Sequence, residues 1–145
     1  VGAIMAVNAV GDVRDPETGR LIAGARDSAD GRRLIDTGAA LAAGVPPPAF
    51  RPVNTTIGVV ATTVRLDKPE AARVARLAME GYTRALSPPH LGTDGDTLFV
   101  LSVGTDDADV EHLGRTAAEL VARAIVRGVR AAVATAGLPA ARDLG

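Results

Sequence analysis

Apolar runs of two kinds alternate along this chain, and their order predicts a layered α/β domain. Residues 1 to 10, from Val1-Gly2-Ala3-Ile4 to Val10, are short and apolar and close on Gly11-Asp12, the pattern of a buried strand ending in a turn. Arg14-Asp15-Pro16-Glu17-Thr18-Gly19 has surface-turn chemistry, and Leu21 to Ala25 reads as a short returning strand. No period is sustained from about Arg26 to Pro52, where Gly31, Gly38, Gly44 and Pro46-Pro47-Pro48 mark an exposed linker with a helical turn near Leu34 to Ala43. Order returns at Thr55: the run Thr55 to Val64 is rich in β-branched residues and apolar on both faces, as in a central strand covered above and below. Asp67, Pro69 and Glu70 predict a capped helix start, followed by an amphipathic helix to about Leu86 that buries Ala71, Val74, Ala75, Ala78 and Tyr82. Thr97 to Val103 reads as a second buried strand. A long helix follows, from near Asp106 to Asp109 as far as about Ala136, with a core stripe of Leu113, Ala117, Leu120, Val121, Ala124 and Ile125 and with Gly137 as its stop.

Composition narrows what such a domain does. The chain has 145 residues, 47% of them hydrophobic, enough for one well-packed domain. A net charge of -1, scattered basic residues and 2% aromatics leave neither an electrostatic footprint nor stacking platforms for nucleic acid. Absence of Cys removes disulfides, thiolate metal sites and a cysteine nucleophile. The longest apolar runs are too short to span a bilayer, so no membrane partner is expected and a soluble cytoplasmic protein is the default. His90 reads as a loop residue and His112 as a solvated helix residue, neither placed for a metal, and no cofactor is expected.

The chemistry concentrates at Val53-Asn54-Thr55-Thr56, where the Pro-rich linker meets the strand. A hydroxyl residue at such a junction can attack the preceding carbonyl, turn the amide into an ester, and emerge after hydrolysis as a new N-terminus. The product carries its own base, because an α-amino group titrates near pH 8 and can take the hydroxyl proton without a histidine. Asn-Thr alone is a common dipeptide, Asn8 alone is commonly a turn residue, and Asp94-Gly95-Asp96 alone is commonly a tight turn.

Taken together, three motifs are more specific: Asn54-Thr55-Thr56-Ile57-Gly58-Val59-Val60-Ala61-Thr62, Asp94-Gly95-Asp96-Thr97 downstream, and Val7-Asn8-Ala9-Val10-Gly11-Asp12 upstream. In this order and spacing they resemble the DmpA-type peptidases, which include L-aminopeptidase/D-esterases, β-peptidyl aminopeptidases and nylon-oligomer hydrolases. The resemblance implies an αββα sandwich, cleavage between Asn54 and Thr55, and hydrolysis of small peptides or amides through an acyl-Thr55 intermediate. It implies Thr55 as nucleophile, Asn8 as oxyanion donor, and Asp94 and Asp96 as acids that orient the nucleophile and its amine. Gly95 is then the residue expected to bend the chain so that both aspartates reach one pocket. Residues 1–54 become the end of one subunit, with the exposed linker at about 26–53, and residues 55–145 become the next; together they make one structural domain. Relatives carry a longer region ahead of the first motif, so the resemblance covers their C-terminal part, and the upstream part of the same protein and further copies of the chain are the expected partners. A self-cleaving acyltransferase of the ornithine-acetyltransferase kind is the enzymatic rival, but a small apolar residue before Thr and a nearby Met, its local pattern, are missing at Asn54-Thr55. An inert relative of the peptidases is the other.

Overall fold

The computed structural model describes residues 1–45, 54–92 and 94–144. In chain order the elements are Gly2–Ala6 (β1), Asp12–Arg14 (β2), Leu21–Ala23 (β3), Thr37–Ala42 (α1), Ile57–Val64 (β4), Lys68–Ala78 (α2), Glu80–Ala85 (α3), Leu86–Ser87 (β5), Thr97–Asp106 (β6), Val110–Ala131 (α4), and a 3-10 turn at Ala141–Asp143. The mixed α/β class and the sequence of elements that the periodicity predicts are present. Two small sheets form, ordered β1-β4-β6 and β3-β2-β5.

In the first sheet β4 is central, antiparallel to β1 and parallel to β6. Alternation along β4 places Gly58, Val60, Thr62 and Val64 under the helices, with Val60 fully buried, while Ile57 on the other face is 43% exposed. The helices α2, α3 and α4 cover this one face, packing Val74, Ala78, Tyr82, Leu113, Ala117, Val121 and Ile125 into a single core. Expected burial of β4 and β6 on both faces is corrected here. Phe99, Leu101 and Val103 in β6 and Ile4 in β1 stand exposed, because the described residues supply one layer of helices and no second layer.

The helix starts and stops follow identifiable groups. Asp67 and Glu70 complete a reciprocal capping box with Pro in the first turn of α2, as their spacing predicts. The predicted single helix to Leu86 is instead broken at Met79. The break adjoins Gly81, whose missing side chain lets α3 press on α4: a Cβ there would lie 2.7 Å from Val121 Cβ. The last helix begins at Val110 behind the Asp109 N-cap, at the far end of the expected range, because β6 runs on to Asp106. It ends at Ala131, short of Gly137, where the Arg142 guanidinium donates to the carbonyls of Ala131 and Ala132 at 3.2 and 2.8 Å. Leu120 and Ala124 of the predicted core stripe are only partly buried, while Ala118, Ala122 and Val126 complete it.

The second sheet is the less expected part. Gly11-Asp12 is a strand entry rather than a turn, and Asp12 is fully buried. Its carboxylate accepts from Thr37 N–H and Thr37 Oγ, both at 2.7 Å, and from Ala25 N–H at 3.3 Å. This anchor gives structure to the stretch read as a linker, together with an Arg26–Leu34 bridge and helix α1. Residues 46–53, the Pro-rich portion before Asn54, lie outside the described residues.

Candidate active site at the ends of three strands

The topology gathers the three motifs. Because β1 runs antiparallel to β4 and β6 runs parallel to it, the C-terminal end of β1 lies beside the N-terminal ends of β4 and β6. Asn8 follows β1, Thr55 precedes β4, and Asp94 to Asp96 precede β6. The β4–β6 pairing Ile57↔Thr97 extends at the same offset to a parallel bridge Asn54↔Asp94, which sets Thr55 opposite Gly95 and Thr56 opposite Asp96.

Around Thr55 the contacts are specific. Its backbone N–H donates to the Asn8 carbonyl at 3.0 Å, and its hydroxyl donates to the Asn54 carbonyl oxygen at 2.7 Å. That same oxygen accepts the Gly95 N–H at 3.0 Å. The Asn54 side-chain amide donates to the Ala9 carbonyl at 3.2 Å and approaches Asn8 Oδ1 at 3.5 Å. The carbonyl of the Asn54–Thr55 peptide is therefore held by a fixed backbone donor while the neighbouring hydroxyl lies against it. Gly95 is not in a left-handed conformation, and what its missing side chain does is leave room for the nucleophile. A Cβ at Gly95 would lie 2.6 Å from Thr55 Oγ.

Alternation separates the predicted residues onto two faces. Thr55 falls with Ile57 on the open face of the sheet, whereas Thr56, fully buried, falls with Asp96 on the helix-covered face. Asp96 accepts Thr56 N–H at 2.9 Å, so it holds the residue after Thr55 and not the Thr55 side chain. Its second carboxylate oxygen lies 2.9 Å from His90 Nδ1. Asp94 accepts a longer bond from Leu91 N–H at 3.3 Å, and its Oδ1 is buried with no hydrogen-bond partner among the described residues. Burial, and then the charge of Asp96, push the Asp94 carboxyl above its ordinary range, against the opposing pull of the Leu91 and Val10 N–H groups. Asp94 is thus the carboxyl of this cluster with a raised affinity for a proton.

Tyr82, expected from the sequence only as a buried residue of its helix, is a support of the site. It is fully buried, and its hydroxyl lies 3.0 Å from the carbonyl oxygens of both Thr56 and Thr97, sharing its one hydrogen between the residue that leads into β4 and the first residue of β6. Burial first, then the Asp96 charge, push its phenol upward, so it remains a donor. His90, read from the sequence as a loop residue, is the second omission. Its pairing crosses a loop whose path no period or spacing encodes. A cleft of about 500 Å³ between β3, α4 and the C-terminal turn, lined by Asp15, Arg20, Arg130 and Arg142, shares no residue with this constellation.

The sequence pattern of peptidase family S58 matches residues 1–142. This chain belongs to peptidase family S58. That is the family of the DmpA-type peptidases, so the resemblance carried by the three motifs is borne out. Within S58 the chain is 36% identical to an uncharacterized aminopeptidase of Mycobacterium leprae, an alignment that covers 96% of this chain and 42% of that protein. It is 34% identical to an uncharacterized aminopeptidase of Mycobacterium tuberculosis, over 99% of this chain and 47% of that one. It is also 34% identical to a 6-aminohexanoate-oligomer endohydrolase of Agromyces, over 74% of this chain and 30% of that enzyme. The chain thus spans less than half the length of these S58 relatives. Among the described residues no helix is long and apolar enough to cross a membrane.

Proposed function

We propose that this chain carries the nucleophile-bearing part of a self-processing amide hydrolase, which cuts its own Asn54–Thr55 bond and then acts on small peptides or amides through Thr55. One observation carries the reading: in a member of a peptidase family, the Thr55 hydroxyl lies 2.7 Å from the Asn54 carbonyl oxygen while the Gly95 N–H holds that oxygen at 3.0 Å. Thr55 Oγ adds to the Asn54 carbonyl carbon, the C–N bond breaks, and the hydroxyl proton reaches the departing Thr55 nitrogen. Asp94, whose backbone pairs with that of Asn54, and Asp96, which accepts the Thr56 N–H, are the acids that orient this junction in the proposed reaction. The charge that develops on the Asn54 oxygen meets the Gly95 N–H, a preorganised donor worth on the order of 3 kcal/mol in such sites. Water then opens the ester, which leaves a carboxylate on Asn54 and a free hydroxyl and α-amine on Thr55.

In the processed protein the α-amine takes the hydroxyl proton as Thr55 attacks a substrate amide, and Asn8 supports the substrate oxyanion. Residues 1–54 and 55–145 are then two chains of one domain. Thr55 faces the open side of the sheet, so the opposite wall of the substrate pocket belongs to the remainder of a longer protein of the size of its relatives.

Intact-mass spectrometry of the full-length protein and of Thr55→Ala tests this. Fragments meeting at Asn54 and Thr55 in the natural protein alone are expected; one uncut chain in both overturns the proposal.

A further inference from the structure

His90 is a titratable side chain at this site to which the reaction above gives no role. It lies in the loop between β5 and β6, with Nδ1 2.9 Å from Asp96 Oδ2 and its ring centroid 5.4 Å from that of Tyr82. The Asp96 side chain is only 4% exposed, against 36% for His90, so a nearly buried carboxylate is joined to solvent through the imidazole. Carboxylates so enclosed persist where their oxygens are met by donors. Here Thr56 N–H, next to the nucleophile, meets one oxygen and His90 meets the other. The backbone at His90 adds a separate observation: its φ is 50°, in the left-handed region. That conformation is unfavourable for a non-glycine residue and recurs where a side chain is held for a purpose.

We propose that His90 is a positioning residue: through its bond to Asp96 it fixes the Thr56 N–H, and with it the Asn54–Thr55 peptide against the Gly95 donor. The inference rests on the self-cleavage reading for its consequence, but the positioning itself is measured separately. Without the imidazole, Asp96 turns toward water, the Thr56 N–H loses its acceptor, and the start of β4 loosens beside the scissile bond. Asparagine at position 90 keeps a donor close to where Nδ1 sits, and among non-glycine residues it tolerates positive φ well. Alanine removes the donor.

Two measurements on the full-length protein decide the matter. In a Thr55→Ala background, where no cleavage occurs, amide hydrogen exchange at Thr56 is compared among His90, His90→Ala and His90→Asn. Exchange roughly tenfold faster or more in His90→Ala, restored in His90→Asn, is expected, since an acceptor that keeps an amide closed protects it in proportion to the closed population. In the Thr55 protein, His90→Ala should slow fragment formation roughly 10- to 100-fold, the scale that small misplacements of reacting groups cost, and His90→Asn should restore it. Thr56 exchange unchanged by His90→Ala, or as fast in His90→Asn as in His90→Ala, overturns the positioning role. A protein that never cleaves while its Thr56 exchange responds as expected leaves the His90–Asp96–Thr56 link standing and overturns the self-cleavage reading instead.

Discussion

A methyl group at position 95 would lie 2.6 Å from the Thr55 hydroxyl oxygen, which makes Gly95 a demanding position in the site. Gly95→Ala should push that hydroxyl off the Asn54 carbonyl and slow fragment formation by roughly 100-fold, the scale of losing one oxyanion contact. Its unfolding temperature should stay close to that of the natural protein, because Gly95 is exposed and not in a left-handed conformation. Time-resolved intact mass and a thermal melt check both halves. The neighbouring Asp94 makes a prediction about pH. Its carboxyl is raised by burial and by Asp96, so the folded state binds a proton more tightly than the unfolded chain. Its contribution to stability is present below the ordinary value of 3.8 and is lost as pH rises through the raised value. Asp94→Asn should therefore be more stable than the natural protein near neutral pH, with the gap closing in acid. Asp15, Asp36 and Glu111, held low chiefly by the Thr18 N–H, by Arg14 and by Arg73 respectively, weaken both proteins equally as pH falls, so they cancel from the comparison. Urea titrations of the pair across pH measure it.

Among the elements, the start of α2 was fully legible, since a capping box needs only Asp67, Glu70 and their three-residue spacing. Asp67→Ala should cost about 1 kcal/mol, the usual value of an N-cap, read as a lower urea midpoint with an unchanged slope. Strand β4 was legible for the same local reason: its β-branched run matches Ile57–Val64. Helix ends fixed by distant groups were not legible. Nothing near Ala131 announces that Arg142 caps it, or near Met79 that Gly81 meets Val121. Tyr82 links the elements that flank the site, spanning Thr56 and Thr97. Tyr82→Phe leaves two carbonyls without that donor and should cost on the order of 1–2 kcal/mol, seen in denaturation. Fragment formation should also slow, because β4 and β6 lose their cross-brace just ahead of Thr55 and Gly95.

At the scale of the molecule, one helical layer on one face of the sheet leaves Ile4, Phe99, Leu101 and Val103 open. Contiguous apolar surface of this kind binds environment-sensitive dyes and partners. The 145-residue chain by itself should therefore enhance the fluorescence of such a dye, and Leu101→Lys with Val103→Lys should reduce the enhancement without lowering the melting temperature. The small sheet is tied in differently, by the buried Asp12 carboxylate on Thr37 and Ala25. That single group converts much of a stretch without periodicity into ordered backbone.

The sequence by itself determined the α/β class, the central strand, the capped helix, the family and the three motifs whose segments come together beside Thr55. Each of these is written in local spacing or in motifs that survive as residue strings. Only the tertiary structure decided which residues oppose one another. A constant offset between parallel strands sets Thr55 against Gly95 and Thr56 against Asp96, and the two-residue alternation of strands sends the nucleophile to the open face and the aspartate to the covered one. It also decided that a loop returns His90 to Asp96. Register and loop return are relations between segments distant in the chain, and hydrophobic periodicity within a segment carries no term for them.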